Sequence, residues 1–383
     1  MNRTIQLALN KVSPTPHSLR LTPSIDKPTS EAFVNLGQLF QHYYFDSFPT
    51  APPKPDPSRF EYLELISAAP KFQFLPFVKD ASLVKKRALS TEMGQAFCRW
   101  ILSEHFGINY FAHMSKVLGK PTHAAFDGMK IKRIAKGDVP DYLCARSVTK
   151  PRVAEAKGRF SSVGFNSAEF QDWREQFTRI EARDKRNVTL QLKGYISATR
   201  FSTEDSSSRI QSGIFVEDPN TIGERDATEI QEPFIGRVIV SMHYAQIFRK
   251  LDLLPLASAL DNGAALANEL SFQVPIWTCF TEPFLRREFI GGFYQTLEGH
   301  MPNLTKEGWQ MPLQLGQGHA CFIGLELSTA LTVAKAARGN WNLLDDLATV
   351  EPSGIWNSDF SWLRDGSVIA PLIYFLPTGA IQL

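Results

Sequence analysis

Three strand-like segments follow one another between residues 129 and 159, with only short turn-like stretches between them. Met129 to Ala135 alternates between apolar and basic residues, which is typical of a half-buried strand. Lys136 to Asp138 indicates a turn, and a second strand is predicted from Val139 to Arg146, with Pro140 near its start, where a missing N–H is tolerated. Pro151 to Arg159 is the third predicted strand. Connections this short require neighbouring antiparallel strands.

Two carboxylates and one lysine fall on these predicted strands, at Asp141, Glu155 and Lys157. Residues i and i+2 of a strand share a face, so Glu155 and Lys157 point the same way. Asp141, on the paired strand, can face them across the ladder. Mg²⁺ is bound through carboxylates and substrate phosphate oxygens, and it stabilises charge on a reacting phosphate. The pattern therefore indicates magnesium-dependent cleavage of a phosphodiester.

Helical segments are predicted on both sides of the three strands. Leu89 to Leu102 has apolar residues at helical spacing, and Glu92 lies in its first turn within a Glu-Met-Gly triplet. A second helix is predicted over Asn166 to Ile180, where Asn166-Ser167-Ala168-Glu169 resembles a capping box. Leu190 to Ala198 is then a fourth predicted strand.

This order of helix, three antiparallel strands, helix and strand, with Asp141 and the Glu155-Ala156-Lys157 triplet, resembles the PD-(D/E)xK nuclease superfamily. The resemblance covers about residues 84–200. It implies an α/β (α+β) fold with a restriction-endonuclease-like core, in which helices flank a mixed central sheet.

The resemblance also implies roles for individual residues. The side chains of Asp141, Glu155 and Glu92, with the carbonyl of Ala156, would hold Mg²⁺, for which Mn²⁺ can substitute. Lys157 would position the attacking water and offset charge on the phosphorus. The implied catalytic set is therefore Asp141, Glu155, Lys157 and Glu92.

Alternative interpretations of these acids stay open. A glutamate in the first turn of a helix, such as Glu92, also has a favourable interaction with the helix dipole. Glu104 is an alternative to Glu92, and Asp138 competes with Asp141 because it also lies beside the strand start.

Local charge favours a nucleic-acid partner more than the net charge does. The whole chain carries a net charge of only +2, which indicates no particular partner. The region around the three predicted strands is strongly basic, and such a patch attracts a phosphate backbone without regard to sequence. The predicted DNA contacts are Lys130, Lys132, Arg133, Lys136, Arg152 and Arg159.

The 383 residues are predicted to form three parts. Residues 1–60 are predicted as an N-terminal appendage with a proline-rich linker, and residues 61–204 as the nuclease domain. Residues 205–383 are predicted as a mixed α+β domain for recognition, dimerisation or partner docking. DNA is therefore the expected partner, with a homodimer or a partner protein held by the last part.

The rest of the sequence narrows the function classes. No apolar run is long enough for a transmembrane helix, and no P-loop pattern indicates ATP-driven work. The four cysteines are widely spaced without a Cys-x-x-Cys motif, which excludes a zinc ribbon and indicates reduced thiols in a cytoplasm. We expect a metal-dependent DNA endonuclease acting in bacterial restriction or anti-phage defence. A non-catalytic nucleic-acid-binding or assembly subunit with a nuclease-like fold is the alternative.

Overall fold

The computed structural model describes residues 2–47, 62–119, 123–126, 130–183, 187–190, 192–207, 209–221, 234–282, 284–294, 321–347 and 360–383. The strands in chain order are β1 Asn2–Asn10, β2 Arg20–Thr22, β3 Ile25–Pro28, β4 Glu31–Asn35, β5 Tyr110–His113, β6 Lys130–Arg133, β7 Tyr142–Ala145, β8 Pro151–Arg159, β9 Ile180–Arg183, β10 Thr189–Leu190, β11 Lys193–Arg200, β12 Gly213–Glu217, β13 Gln273–Cys279, β14 Glu288–Tyr294, β15 Cys321–Glu326, β16 Ser361–Trp362, β17 Ser367–Pro371 and β18 Phe375–Gln382. The α-helices are α1 Leu36–Ser47, α2 Leu83–Phe106, α3 Met114–Val117, α4 Ala168–Gln176, α5 Phe234–Lys250, α6 Leu254–Asn262 and α7 Leu327–Ala337.

A seven-stranded mixed sheet carries the predicted site. Its strand order is β4-β1-β12-β11-β8-β7-β5. β1 runs parallel to β12 and β8 runs parallel to β11, whereas the other neighbours are antiparallel. α2 packs on β8 and β11 with α1 against it, and α5 packs on β5 and β7. The fold is therefore mixed α and β with helices flanking a large mixed sheet, as the sequence predicted at that level.

α2 is longer than the predicted helix over Leu89 to Leu102. The side chain of Ser82 accepts a hydrogen bond from the backbone N–H of Lys85 and caps the start. Gly107, with φ of 66°, ends the helix in a left-handed conformation. The first two turns are mostly exposed, so the apolar spacing that marks the helix in the sequence begins only at Leu89.

The first of the three predicted strands does not belong to the central sheet. β6 pairs with β9 in a separate three-stranded sheet of order β10-β9-β6, and the antiparallel neighbour of β7 is β5 instead. β5 is a run of four residues, and such short runs cannot be assigned from periodicity. The alternation of β6 arises because Ile131 faces the core while Lys130 and Lys132 face solvent.

Strands of the central sheet come from all three of the predicted parts of the chain. β1 and β4, from the predicted appendage over residues 1–60, are hydrogen-bonded strands of the central sheet, and α1 is buried along almost its whole length. β12 lies beyond residue 204 and also belongs to this sheet. The predicted linker over residues 48–57 lies outside the described residues.

The second half of the chain adds an antiparallel sheet of order β16-β17-β15-β14-β13-β18. α7 packs on β14 and β15. One hydrophobic core includes side chains from this sheet and from the central sheet, such as Ile323 and Leu143. No helix in the described part of the chain has the length and hydropathy needed to span a bilayer.

Candidate active site

The two strands that carry the predicted acids pair as expected. β8 has the predicted bounds, and β7 starts at Tyr142, directly after Asp141. The register places Tyr142 opposite Ala154, so Asp141 lies beside Glu155. The backbone N–H of Ala156 donates to Asp141 Oδ2 over 2.9 Å. A side-chain carboxylate therefore continues the hydrogen bonding of β8 where β7 has not yet begun.

Glu155 is the most buried member of the group, with none of its surface exposed. The ammonium of Lys157 contacts its Oε1, and the side chain of Lys157 is 29% exposed. Apart from the carboxyl of Asp141, whose hydrogen bond with Glu155 requires a shared proton, Oε2 of Glu155 has no hydrogen-bond partner among the described residues. A buried carboxylate oxygen without a donor costs free energy unless a cation or a proton satisfies it.

The pKa values show that the two carboxyl groups do not both ionise easily. Burial raises the pKa of Glu155 to about 8; the charge of Asp141 adds to this shift and Lys157 opposes it. Burial also raises the pKa of Asp141, although Lys157 and the N–H of Ala156 act in the opposite direction. Near neutral pH and without a bound cation, the pair therefore holds a proton in place of a second negative charge.

Lys157 stays an ammonium in this environment. Burial alone would lower its pKa, but the carboxylates of Glu155 and Asp141 outweigh burial and raise it. A lysine with a raised pKa is a poor proton acceptor. Its chemistry here is that of a fixed positive charge and hydrogen-bond donor.

These groups fit a hard divalent cation. Asp141 and Glu155 supply two neighbouring carboxylates, and Oε2 of Glu155 is the unsatisfied buried oxygen that a cation would bind. Within the ranges that the structure describes, no group of three or more His, Cys, Asp or Glu side chains is arranged around a metal position. Mg²⁺ suits such a sparse site because it keeps several waters and takes further oxygens from substrate phosphates.

The structure does not bring Glu92 into this group. Its carboxylate accepts a hydrogen bond from the hydroxyl of Tyr62. The alternative Glu104 lies elsewhere, 3.5 Å from Gln38 Nε2 and in a separate cavity with His105. Asp138 is exposed, and its charge adds to those that raise the pKa of Lys157.

A close backbone contact fixes β8 against α2 beside Lys157. A Cβ at Gly158 would lie 1.7 Å from the carbonyl oxygen of Ser90, and a Cβ at Gly94 would lie 2.6 Å from the nitrogen of Gly158. Only glycine allows so close an approach. The triplet that contains Glu92 therefore has a packing role through Gly94.

The predicted DNA contacts divide into two groups. Lys130, Lys132, Arg133 and Lys136 are exposed on β6 and the turn after it. Arg152 and Arg159 are half-buried: Arg152 donates to the carbonyl of Pro151, and Arg159 pairs with Glu169 over 3.2 Å. The exposed group is joined to the site by the segment that leads to Asp141. Arg179 holds this segment by donating to the carbonyl of Asp138 over 3.1 Å.

A buried polar cluster next to Asp141 was missed in the sequence. Asp46, from α1, accepts hydrogen bonds from Arg99 over 2.8 Å and from the hydroxyl of Tyr142 over 2.7 Å. His113 Nε2 lies 3.0 Å from the same carboxylate. Asp46 is far from its partners along the chain, and no local pattern marks such a contact.

Comparison of the chain with protein-family models, with curated proteins and with solved structures finds no match.

Proposed function

We propose that this chain is a metal-dependent DNA endonuclease with a restriction-endonuclease-like core. The observation that carries the proposal is the grouping of Asp141, Glu155 and Lys157 at the point where β8 extends beyond β7. Two adjacent carboxylates with one fixed ammonium form a donor set suited to a hard cation and a phosphate.

Each residue has a distinct role in the proposed reaction. Asp141 and Glu155, with the carbonyl of Ala156, would hold Mg²⁺ or Mn²⁺. The bound ion would supply positive charge for the phosphate and lower the pKa of a coordinated water. Lys157 donates hydrogen bonds to the non-bridging oxygens and offsets the charge that develops on them. The products implied by the resemblance are a 3′ hydroxyl and a 5′ phosphate.

Surface charge supports DNA as the substrate. Lys130 and Lys132 project from the outer face of β6, and Arg133 and Lys136 follow on the way to Asp141. Neutralising backbone phosphates with such residues releases counterions and gives a salt-dependent affinity. A duplex bound along this basic face would reach the carboxylate pair within a few residues of the same segment.

The cellular setting belongs to the same proposal. All four cysteines are free and buried, which fits a reducing cytoplasm. The resemblance suggests bacterial restriction or defence against phage. The second half of the chain would then provide recognition, dimerisation or docking of a partner.

A cleavage assay tests the proposal. Plasmid, linear duplex and single-stranded DNA are incubated with the purified protein in Mg²⁺, in Mn²⁺ and in EDTA. We expect cleavage only with a metal, and its loss in Glu155→Gln and Lys157→Met but not in Glu269→Gln, an exposed acid in another region. Metal-independent binding of DNA without any cleavage by the parent protein would favour the non-catalytic binding subunit instead.

A further inference from the structure

β18 lies at an open edge of the second sheet, where its strand neighbour is β13. With eight residues, it is the longest of the edge strands in the described sheets. The side chains of residues 376–380 and of Gln382 are exposed. An edge strand of this kind presents a row of unpaired N–H and C=O groups, which can pair with another strand.

The sequence of β18 lacks the charges that usually protect such an edge. Charged side chains, lysine above all, keep an exposed edge from pairing with a second strand. β6, an edge of the small sheet, carries Lys130 and Lys132, and β4, an edge of the central sheet, carries Glu31. β18 has no charged residue, and Pro377 with a shift of register interrupts only its first half. Its second half is therefore open to association unless a specific strand covers it.

The ladder with β13 determines which backbone groups of β18 face outward. Phe272 and Leu383 exchange two hydrogen bonds, of 3.1 and 3.0 Å. Bonded and non-bonded positions alternate along an antiparallel pair. Ile381 is therefore bonded to β13, whereas Ala380 and Gln382 direct their N–H and C=O groups away from it. In the described part of the chain, no backbone hydrogen bond reaches these outward groups.

The outward groups are complementary to themselves under a two-fold axis. When two copies of β18 run antiparallel with Ile381 opposite Ile381, Ala380 of each copy lies opposite Gln382 of the other. Each of these pairs exchanges two hydrogen bonds, so every outward group of Ala380 and Gln382 is satisfied. The two Ile381 side chains form a β-branched cross-strand pair. Because β18 has no charge, no like charges meet between the two strands.

We propose that β18 is a dimerisation surface and that its occupant is β18 of a second copy of this chain. The pairing joins the two six-stranded sheets into one continuous sheet. Such a contact is isologous and closes on itself, so association stops at the dimer. The placement of the outward groups on both sides of Ile381 favours a second copy over an unrelated strand, which would need no such symmetry. This inference does not depend on the proposed nuclease function.

The first test removes one outward donor. Ala380→Pro deletes the N–H that faces the second copy, and proline is tolerated on an edge strand where its nitrogen faces solvent. Ala380→Ser is the matched control, because it keeps this N–H. Analytical ultracentrifugation of the full chain, without DNA or metal, should show a dimer for the parent and for the control. We expect the Kd of the dimer to rise by about 10-fold or more in Ala380→Pro, since carbonyl groups on both copies lose their donor.

The second test uses charge and does not depend on the folding of a single variant. A chain with Ala380→Lys and Gln382→Lys should be a monomer, because lysines of the two copies would lie opposite each other. A chain with Ala380→Glu and Gln382→Glu should be a monomer for the same reason. An equimolar mixture of the two chains should recover the dimer, since each lysine then lies opposite a glutamate.

The third measurement follows amide hydrogen exchange in the parent protein, by mass spectrometry of a peptide over residues 376–383. We expect slower exchange in the dimer than in the diluted monomer, because the N–H groups of Ala380 and Gln382 gain acceptors. A parent that stays a monomer at all concentrations, a dimer that neither set of variants weakens, or equal exchange in the dimer and the monomer would overturn this inference. Each of these outcomes is separate from whether the protein cuts DNA.

Discussion

The backbone N–H of Ala156 donates a hydrogen bond to the carboxylate of Asp141 over 2.9 Å, so the acid that precedes β7 is tied to the strand that carries Glu155 and Lys157. This bond gives the N–H of Ala156 an acceptor at a position where β7 has not yet begun. It also brings two carboxylates together in a buried place. A cation, a proton or the ammonium of Lys157 must then balance their charge.

The first expectation concerns pH. The pKa of Glu155 rises from its ordinary value of 4.5 to about 8 in the folded protein. Between these values the folded protein holds a proton that the unfolded chain releases, so this contribution to stability is present at low pH and is lost as pH rises through the window. In EDTA, we expect the unfolding free energy, measured by urea titration, to decrease less with rising pH in Glu155→Gln than in the parent protein.

Metal should reverse this trend, because a cation competes with the proton for the same carboxylate. We expect the unfolding free energy of the parent protein to be higher in Mg²⁺ than in EDTA. This difference should increase from pH 6 to pH 9, roughly the range in which Glu155 loses its proton in the folded protein. Glu269→Gln is the control and should follow the parent. An identical pH slope in the parent and in Glu155→Gln would contradict the assignment.

The second expectation concerns Lys157, whose ammonium acts to lower the pKa of Glu155 and so offsets part of the rise that burial causes. Lys157→Met should push that pKa still higher, but it also removes a positive charge that repels a divalent ion about twice as strongly as it repels a proton. Mn²⁺ should therefore bind more tightly at neutral pH, as measured by calorimetry. Lys150→Met is the matched control, because Lys150 is exposed and directly precedes the other end of β8. Equal Mn²⁺ affinity in the two variants would argue against a role of Lys157 in the electrostatics of the site.

The third expectation concerns the contact between α2 and β8. Gly158→Ala would place a methyl group against the carbonyl of Ser90, and overpacking of this kind costs about 1–3 kcal/mol or more. Gly164→Ala is the control, since a Cβ there has no atom within 4 Å. We expect urea unfolding to show a loss of at least ~2 kcal/mol for the first variant and almost none for the second. Equal stability of the two would mean that the helix and strand are not in close contact.

The fourth expectation concerns the basic face of β6. Lys132→Ala should weaken DNA binding about equally for all sequences and reduce the slope of log affinity against log salt by about 1. The measurement uses fluorescence anisotropy in Ca²⁺ over a range of salt concentrations. Lys27→Ala is the control, because Lys27 is exposed on β3, outside this basic face. An equal slope of log affinity against log salt in both variants would contradict the placement of β6 at the DNA interface.

How much the sequence could predict depended on how local each contact is. β8 was predicted with its observed bounds, and Asp141, Glu155 and Lys157 come together because a local hairpin folds the start of β7 against the end of β8. The predicted partner of β7 was wrong, because β5 is short and apolar and is separated from β7 by a long segment of the chain.

Contacts distant in sequence were beyond such patterns. Asp46 contacts Arg99 and Tyr142 only because α1 packs against α2 and the sheet. The sequence around Asp46 was predicted to be part of an N-terminal appendage, so nothing in it indicated these contacts. The helix that carries Glu92 was predicted correctly. The hydrogen bond that its carboxylate accepts from Tyr62 was not predictable, because helical periodicity does not indicate which distant residue a side chain contacts.

The most direct test of the central claim is the chemistry of the ends produced from a labelled DNA duplex in Mg²⁺ by the parent protein and by Glu155→Gln. We expect new 5′ phosphate and 3′ hydroxyl ends from the parent, none in EDTA, and none from Glu155→Gln under conditions in which both proteins are folded and bind DNA. Equal cleavage by the parent and by Glu155→Gln, or intact DNA with both, would contradict the assignment of this site as the centre of a metal-dependent nuclease.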